Sequence, residues 1–431
     1  MEISEIANMV GVVVASPDPT TADLLQYRQI KNHKGEVVGT GAPLKTSLNL
    51  EIVLSHDPTL QGAIRYNEFS KVIEYKGEPI KDQAETDLML WIARTYDLEM
   101  PTKRVSEVMA LVADKNPTHP VRDWLDSVEW DNTPRLESLL SKYFGAKDSD
   151  LVREIGLKWG VGCVARIYQP GCKLDTVLVI QGPQGARKST AFRKLTGNDA
   201  WFSDTLVDFR NKDAYQQLQG VWIYELAELD NVKRSDIGAI KAFLSAQVDK
   251  YRPSYGRHVQ TYPRSTAFVG STNDLEFLPA DPTGSRRFWP VKIGHIDIEA
   301  IDNDRDQLWA EAVSLYKSGT CWWLEGKANE DLIEVSQEYR QHDSWEVVIE
   351  GWLRARFEPF TLEDVLRGAL KKDPSEQSRY DGMRAAALLT GLGCVKRRMH
   401  FDGARRVMWA RDGEILDMAK GGYGKKGTSD K

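Results

Sequence analysis

Apolar residues recur along this chain in two rhythms, and the change between them is the first guide to its organisation. From Asp82 the spacing is helical: Leu88, Leu90, Trp91, Ile92 and Tyr96 form one stretch, and Val105, Val108, Met109 and Val112 form a second, opened by Pro101-Thr102. Similar stretches near 121–130, 134–144 and 149–167 extend a helical lead-in to a boundary near Gly171. Beyond it, Asp175–Ile180, Val221–Tyr224 and Thr266–Val269 are short, continuous apolar runs, as expected of buried parallel strands. Helical material at 190–195, 211–219 and 234–247 separates them, and a helix near Asp306–Lys317 closes the unit. Strands alternating with helices predict an α/β fold with a parallel sheet.

The two ends read differently. Before Asp82, Pro17, Pro19 and Lys34-Gly35 mark loops, and alternation from Arg65 to Ile80 across Lys76-Gly77 predicts a small hairpin. After about residue 343, helices are expected at Trp345–Phe357, from a capping-box start at Thr361-Leu-Glu-Asp364 to Lys371, and at Ser378–Leu392. Cys394–His400 and Arg405–Ala410 then flank a Phe401-Asp-Gly-Ala404 turn. Helices followed by a basic hairpin predict a winged-helix-like module. The expected units are a mixed region at 1–80, a helical domain at 81–170, an α/β domain at 171–330, the winged-helix-like domain at 343–412 and a disordered tail at 413–431.

Composition narrows the setting. The chain has 431 residues, 41% of them apolar, and no run long enough to span a bilayer. Four scattered cysteines lack metal-ligand spacing, and the acidic N-terminus is unlike a signal peptide, so the host cytoplasm is the expected compartment. Formal net charge is −6, which excludes a generally basic nucleic-acid coat and confines such contacts to local patches. One patch is Lys250, Arg252, Arg257 and Arg264 in the acid-free window 250–264; the other is Lys396, Arg397, Arg398, Arg405 and Arg406.

The most specific chemistry is Gly182-Pro183-Gln184-Gly185-Ala186-Arg187-Lys188-Ser189, followed by Thr190, between a strand and a helix. Glycines let backbone N–H groups turn inward around phosphate oxygens, and a helix N-terminus favours negative charge. Lys188 is placed for the β- and γ-phosphates of ATP and Ser189 for Mg²⁺. Arg187 stands where glycine is usual in a P-loop. Glu225 ends the second strand, where such folds hold Mg²⁺ and polarise the attacking water. Glu228 is open between water activation and a plain surface role. Asn273 ends the third strand, suited to orienting a water at the γ-phosphate. Arg286 and Arg287 follow it, and either guanidinium suits a finger on a neighbouring subunit's nucleotide, the other forming a structural salt bridge.

With these residues in view, about 45–325 resembles the virulence-associated E family, phage- and plasmid-borne proteins related to the helicase part of poxvirus-type primase–helicases. The resemblance rests on His119-Pro-Val-Arg-Asp-Trp124, Glu129-Trp-Asp131, Tyr168–Lys173, Gly182–Thr190, Trp201–Asp204 and Glu225–Glu228. Lys241–Ser245, Tyr251–Gly256, Ser271–Asn273, Ser285–Phe288 and Gln307–Ala310 complete it. It implies an AAA+-like, superfamily 3 P-loop ATPase forming a homo-oligomeric ring, a hexamer, that translocates 3′–5′ on single-stranded DNA as a helicase replicating a mobile element. With no room for a primase palm before residue 80, a separate primase is the implied partner. The family places a channel hairpin before the asparagine strand, here Tyr251–Tyr262, so Lys250, Arg252, Tyr255, Arg257 and His258 are the expected DNA contacts. An ATP-switched initiator or loader that unwinds nothing, and a nucleotide-dependent regulatory or defence protein, are the competing readings.

Overall fold

A computed structural model describes residues 16–205, 211, 213–227, 234–252, 259–278, 285–339, 343–356, 358–401 and 404–411. Its strands are β1 (Tyr27–Lys31), β2 (Val37–Pro43), β3 (Ile64–Asn67), β4 (Val72–Tyr75), β5 (Glu78–Pro79), β6 (Pro117–Thr118), β7 (Val177–Gln181), β8 (Phe202–Ser203), β9 (Ile223–Leu226), β10 (Val248–Tyr251), β11 (Gln260–Pro263), β12 (Ala267–Thr272), β13 (Phe288–Lys292), β14 (Cys394–Phe401) and β15 (Ala404–Arg411). The α-helices are α1 (Pro19–Leu24), α2 (Ser47–His56), α3 (Asp82–Tyr96), α4 (Thr102–Asp114), α5 (Pro120–Ser127), α6 (Asp150–Tyr168), α7 (Lys188–Thr196), α8 (Asp213–Gln216), α9 (Arg234–Ser245), α10 (Ile298–Lys317), α11 (Gly326–Glu338) and α12 (Ser344–Arg354). A short helix, Leu362–Asp364, and α13 (Arg379–Gly391) follow. Among the described residues no helix is long and apolar enough to cross a membrane.

The centre is a five-stranded sheet in the order β13-β7-β12-β9-β8, with every pairing parallel. Its strands are nearly all apolar because both faces are covered. Leu178, Ile180, Ile223 and Val269 face a core shared with α6, α7 and α10, where Trp159, Phe192 and Trp309 are buried. Val177, Val179, Tyr224 and Phe268 face the opposite way, against Leu218, Ile240 and Phe243. The fold is therefore mixed α/β, with helices on both faces of a parallel sheet.

Elsewhere the expectation and the structure differ in detail. Residues 64–79 form two turns of an antiparallel meander rather than one hairpin, and β3 also pairs in parallel with β6. The β1–β2 hairpin and α2 had no counterpart in the sequence pattern. Residues 25–113 share one core, into which Leu50, Leu88 and Val108 are buried. His119 caps α5 by accepting the Arg122 N–H, and burial pushes its imidazole down to about 4, so it caps as the neutral ring. In the C-terminal part, Thr361–Asp364 and Ser378–Asp381 each complete a capping box, and β14–β15 closes an antiparallel hairpin over Leu353, Val365 and Leu389.

One charge in the first basic patch is structural. Arg264 is fully buried and pairs with Asp249, the residue just before the acid-free segment, with Nη2–Oδ1 at 2.5 Å. It also donates to the Phe243 carbonyl and stacks on the Phe243 ring. Tyr251 is likewise buried, packed on Tyr262 at 5.0 Å between centroids, and is not a free stacking surface for bases. Arg264→Leu would strand the Asp249 carboxylate and should cost about 3–5 kcal/mol in denaturant titration. Adding Asp249→Leu should recover part of that loss; a single variant as stable as wild type would refute the pairing.

Candidate functional site

The glycine loop leaves the C-terminal end of β7. Gly182 has no room for a side chain, since a Cβ would lie 2.7 Å from Ile293 Cγ1. Gly185 has φ of +79°. Arg187 also adopts the left-handed region, at φ 63° and ψ 32°, as the N-cap of α7. This is why glycine is usual there: a side chain makes that conformation cost roughly 1–2 kcal/mol. Arg187 is exposed, and no side chain caps α7, so the first-turn N–H groups face the loop's concavity.

Two strand ends complete the site. Val269 of β12 lies in register with Glu225 of β9, so Glu225 and Ser271 project from the same face, the one α7 covers. Glu225 is 1% exposed; one carboxylate oxygen, Oε1, accepts from Ser189 Oγ at 3.0 Å and from the Ser271 hydroxyl. Its Oε2 is buried with no hydrogen-bond partner. Burial raises the Glu225 carboxyl above its ordinary range, against the lowering effect of the two hydroxyls. Lys188 Nζ donates to Asn273 Oδ1 at 2.7 Å and to the carbonyls of Gly182 and Pro183 at 2.8 and 3.1 Å. Gln181 Nε2 donates to the Asn273 carbonyl at 3.1 Å, fixing that backbone. A cavity of about 340 Å³ opens here, lined by loop residues 184–190 together with Ala227 and Ser271–Asn273.

Lys188, Ser189, Thr190, Glu225 and Asn273 thus meet at one edge of the sheet. A cationic amine, a row of N–H donors and a hydroxyl beside an orphaned buried carboxylate oxygen suit a polyanion with a divalent cation. Ser271 was not singled out by the sequence; its role depends on strand register, which only pairing reveals. Arg286 and Arg287 do not join this cluster. Phe288 pairs with Val177 and Lys292 with Gln181, so both arginines sit at the opposite edge, roughly 20 Å from the loop along the strands. Lys250 and Arg252 are exposed at the β10 end of the β10–β11 hairpin. Glu228, Tyr255, Arg257 and His258 lie outside the described residues.

Residues 125–342, slightly more than half of the chain, match the model of the virulence-associated protein E-like domain. Comparison with curated proteins gives no match. Among solved structures, the apo C-terminal region of NrS-1 aligns at 13% identity with a TM-score of 0.37, over 63% of this chain and 66% of that chain. A second apo structure of that region gives the same identity and score over 67% and 78%. An inhibitor-bound JCV helicase aligns at 11% identity with a TM-score of 0.23, over 58% and 78%.

Two outcomes follow from the site's geometry. Arg187→Gly relieves the left-handed arginine and should raise stability, by up to about 1 kcal/mol once glycine's backbone entropy is subtracted, in denaturant unfolding; a loss would show that the arginine makes a compensating contact. Glu225→Gln removes a buried charge. Its melting temperature should be no lower than wild type at pH 7; a clearly lower one would show that the buried carboxylate is stabilising where it sits.

Proposed function

The chain belongs to the virulence-associated protein E-like family, and on that premise we propose that it is an ATP-driven, ring-forming helicase acting on single-stranded DNA in replication of a phage or mobile element. The observation that carries the reading is the convergence of Lys188, Ser189, Glu225 and Asn273 at the C-terminal edge of the parallel sheet. In this reading the α/β unit is a P-loop core of the superfamily 3 type, and the loop N–H groups and Lys188 bind the phosphates. Ser189 and Glu225 hold Mg²⁺, whose charge offsets that of the phosphates. The orphaned Glu225 Oε2 favours such an occupant, since an unpartnered buried carboxylate oxygen is costly without one. Asn273, held by Lys188 and Gln181, orients the attacking water, with Glu228 open between activating that water and a plain surface role.

In this reading the chain is a homo-oligomer, a hexamer, and the arginine positions support head-to-tail contacts between its subunits. Arginines on the sheet edge opposite the loop cannot serve their own subunit's nucleotide, but a head-to-tail ring brings one subunit's arginine edge to the next subunit's loop. In this reading Lys250, Arg252, Tyr255, Arg257 and His258 are the contacts to the single strand. The C-terminal module, read as a winged helix, presents exposed Lys396, Arg397, Arg398, Arg405 and Arg406 to a duplex backbone or to a partner such as a separate primase. The units expected at 81–170 and 171–330 act together here, since residues 121–167 share the sheet's core.

Purified protein should hydrolyse ATP faster with single-stranded DNA, and Lys188→Ala should abolish both rates. A rate indifferent to DNA across salt conditions would sink the motor reading. DNA-stimulated hydrolysis without strand displacement would favour the loader instead.

A further inference from the structure

The two arginines at the far edge of the sheet are not equivalent. They share one turn of 3-10 helix, Ser285–Arg287, at the start of β13. Arg287 is largely covered: its Nε lies 3.3 Å from the Asp175 carboxylate and 3.2 Å from Ser245 Oγ. Arg286 is exposed and has no hydrogen bond or ion pair to a described residue. Asp175 stands just before β7, the strand that leads into the glycine loop, and Ser245 is the last residue of α9. Two residues separate Ser245 from β10, and the buried Arg264 pins that hairpin to α9 by pairing with Asp249 and donating to the Phe243 carbonyl. Hairpin base and arginine turn are therefore each tied by polar contacts to the last turn of α9, at Phe243 and Ser245.

Building on the motor reading, we propose that Arg286 is the finger presented to the neighbouring subunit's nucleotide, and that Arg287 is a positioning residue. Braced by Asp175 and Ser245, Arg287 ties the turn bearing Arg286 to the helix that carries the DNA hairpin. DNA held by the hairpin of one subunit thereby sets the guanidinium offered to the next subunit's γ-phosphate. The brace is suited to this because it is short and half-buried, so its charges are less screened than surface pairs. A contiguous network is only a candidate route, so energetic coupling has to be measured.

The test compares four proteins in the full chain: Arg286→Ala, Arg287→Ala, Asp175→Asn and the double variant Asp175→Asn/Arg287→Ala. Doping Arg286→Ala subunits into wild-type rings should lower ATP turnover more steeply than the fraction added, with about 10³-fold loss in the pure variant. Asp175→Asn should cut DNA-stimulated kcat at least about tenfold with KM for ATP unchanged, as a misplaced catalytic group does. The ratio of DNA-stimulated to basal rate should fall towards one, and the double variant should be no worse than Arg287→Ala alone. A merely structural role would shift the melting temperature and lower both rates together. Proportional dilution by Arg286→Ala, steeper poisoning by Arg287→Ala, or an intact stimulation ratio in Asp175→Asn would overturn the assignment. Failure of the motor reading is separate, because it would appear in the wild type as hydrolysis that DNA does not change.

Discussion

A carboxylate buried at the end of a parallel strand is the constraint around which this molecule is arranged. Glu225 sits beneath the first turn of α7, with two serine hydroxyls on one of its oxygens and none on the other. Leaving such a group half-satisfied is costly, and the surroundings bear the cost only because the register of β9 and β12 is fixed by apolar residues on both faces of the sheet. The same register brings Asn273 to Lys188. Packing on two faces thus sets the chemistry on one edge.

The opposite edge follows from the same pairing. Because β13 runs parallel to β7 and in register with it, the turn before β13 lies where the glycine loop cannot be reached within the chain. On the proposed reading the site's charges are divided between two edges of one sheet, and a head-to-tail ring would complete it and couple each site to its neighbour, as a motor requires.

Much of this was legible in the sequence because particular chemistry forces particular residue types. The loop's form is legible because glycines between an apolar strand and a helix mark a turn with inward N–H groups, which the angles at Gly185 and Arg187 bear out. The strands at 177–181, 223–226 and 267–272 are legible because burial on both faces makes them largely apolar, with polar residues such as Gln181, Glu225 and Ser271 gathered towards their C-terminal ends. The capping box at Thr361 is visible as a local pattern in the sequence. Arg264 was misread because its charge was counted along the chain, whereas its partner Asp249 lies across a hairpin. Ser271 was missed because serine is common and its role comes from register. The β1–β2 hairpin and α2 left no clear periodicity, since their exposed faces carry apolar residues such as Val37, Val38 and Leu48. Arg187 was noticed as a departure, but its meaning needed a backbone angle.

The central claim is that nucleotide is held between the loop of one subunit and the arginine edge of the next, around a DNA strand. Electron microscopy of the protein with a non-hydrolysable ATP analogue and single-stranded DNA tests it most directly. The account predicts a closed ring, nucleotide density against Lys188 and Ser189 with Arg286 of the adjacent subunit facing it, and DNA density within the ring at the β10–β11 hairpins. Monomeric particles, or a ring with nucleotide far from Lys188 and DNA outside the channel, would contradict it.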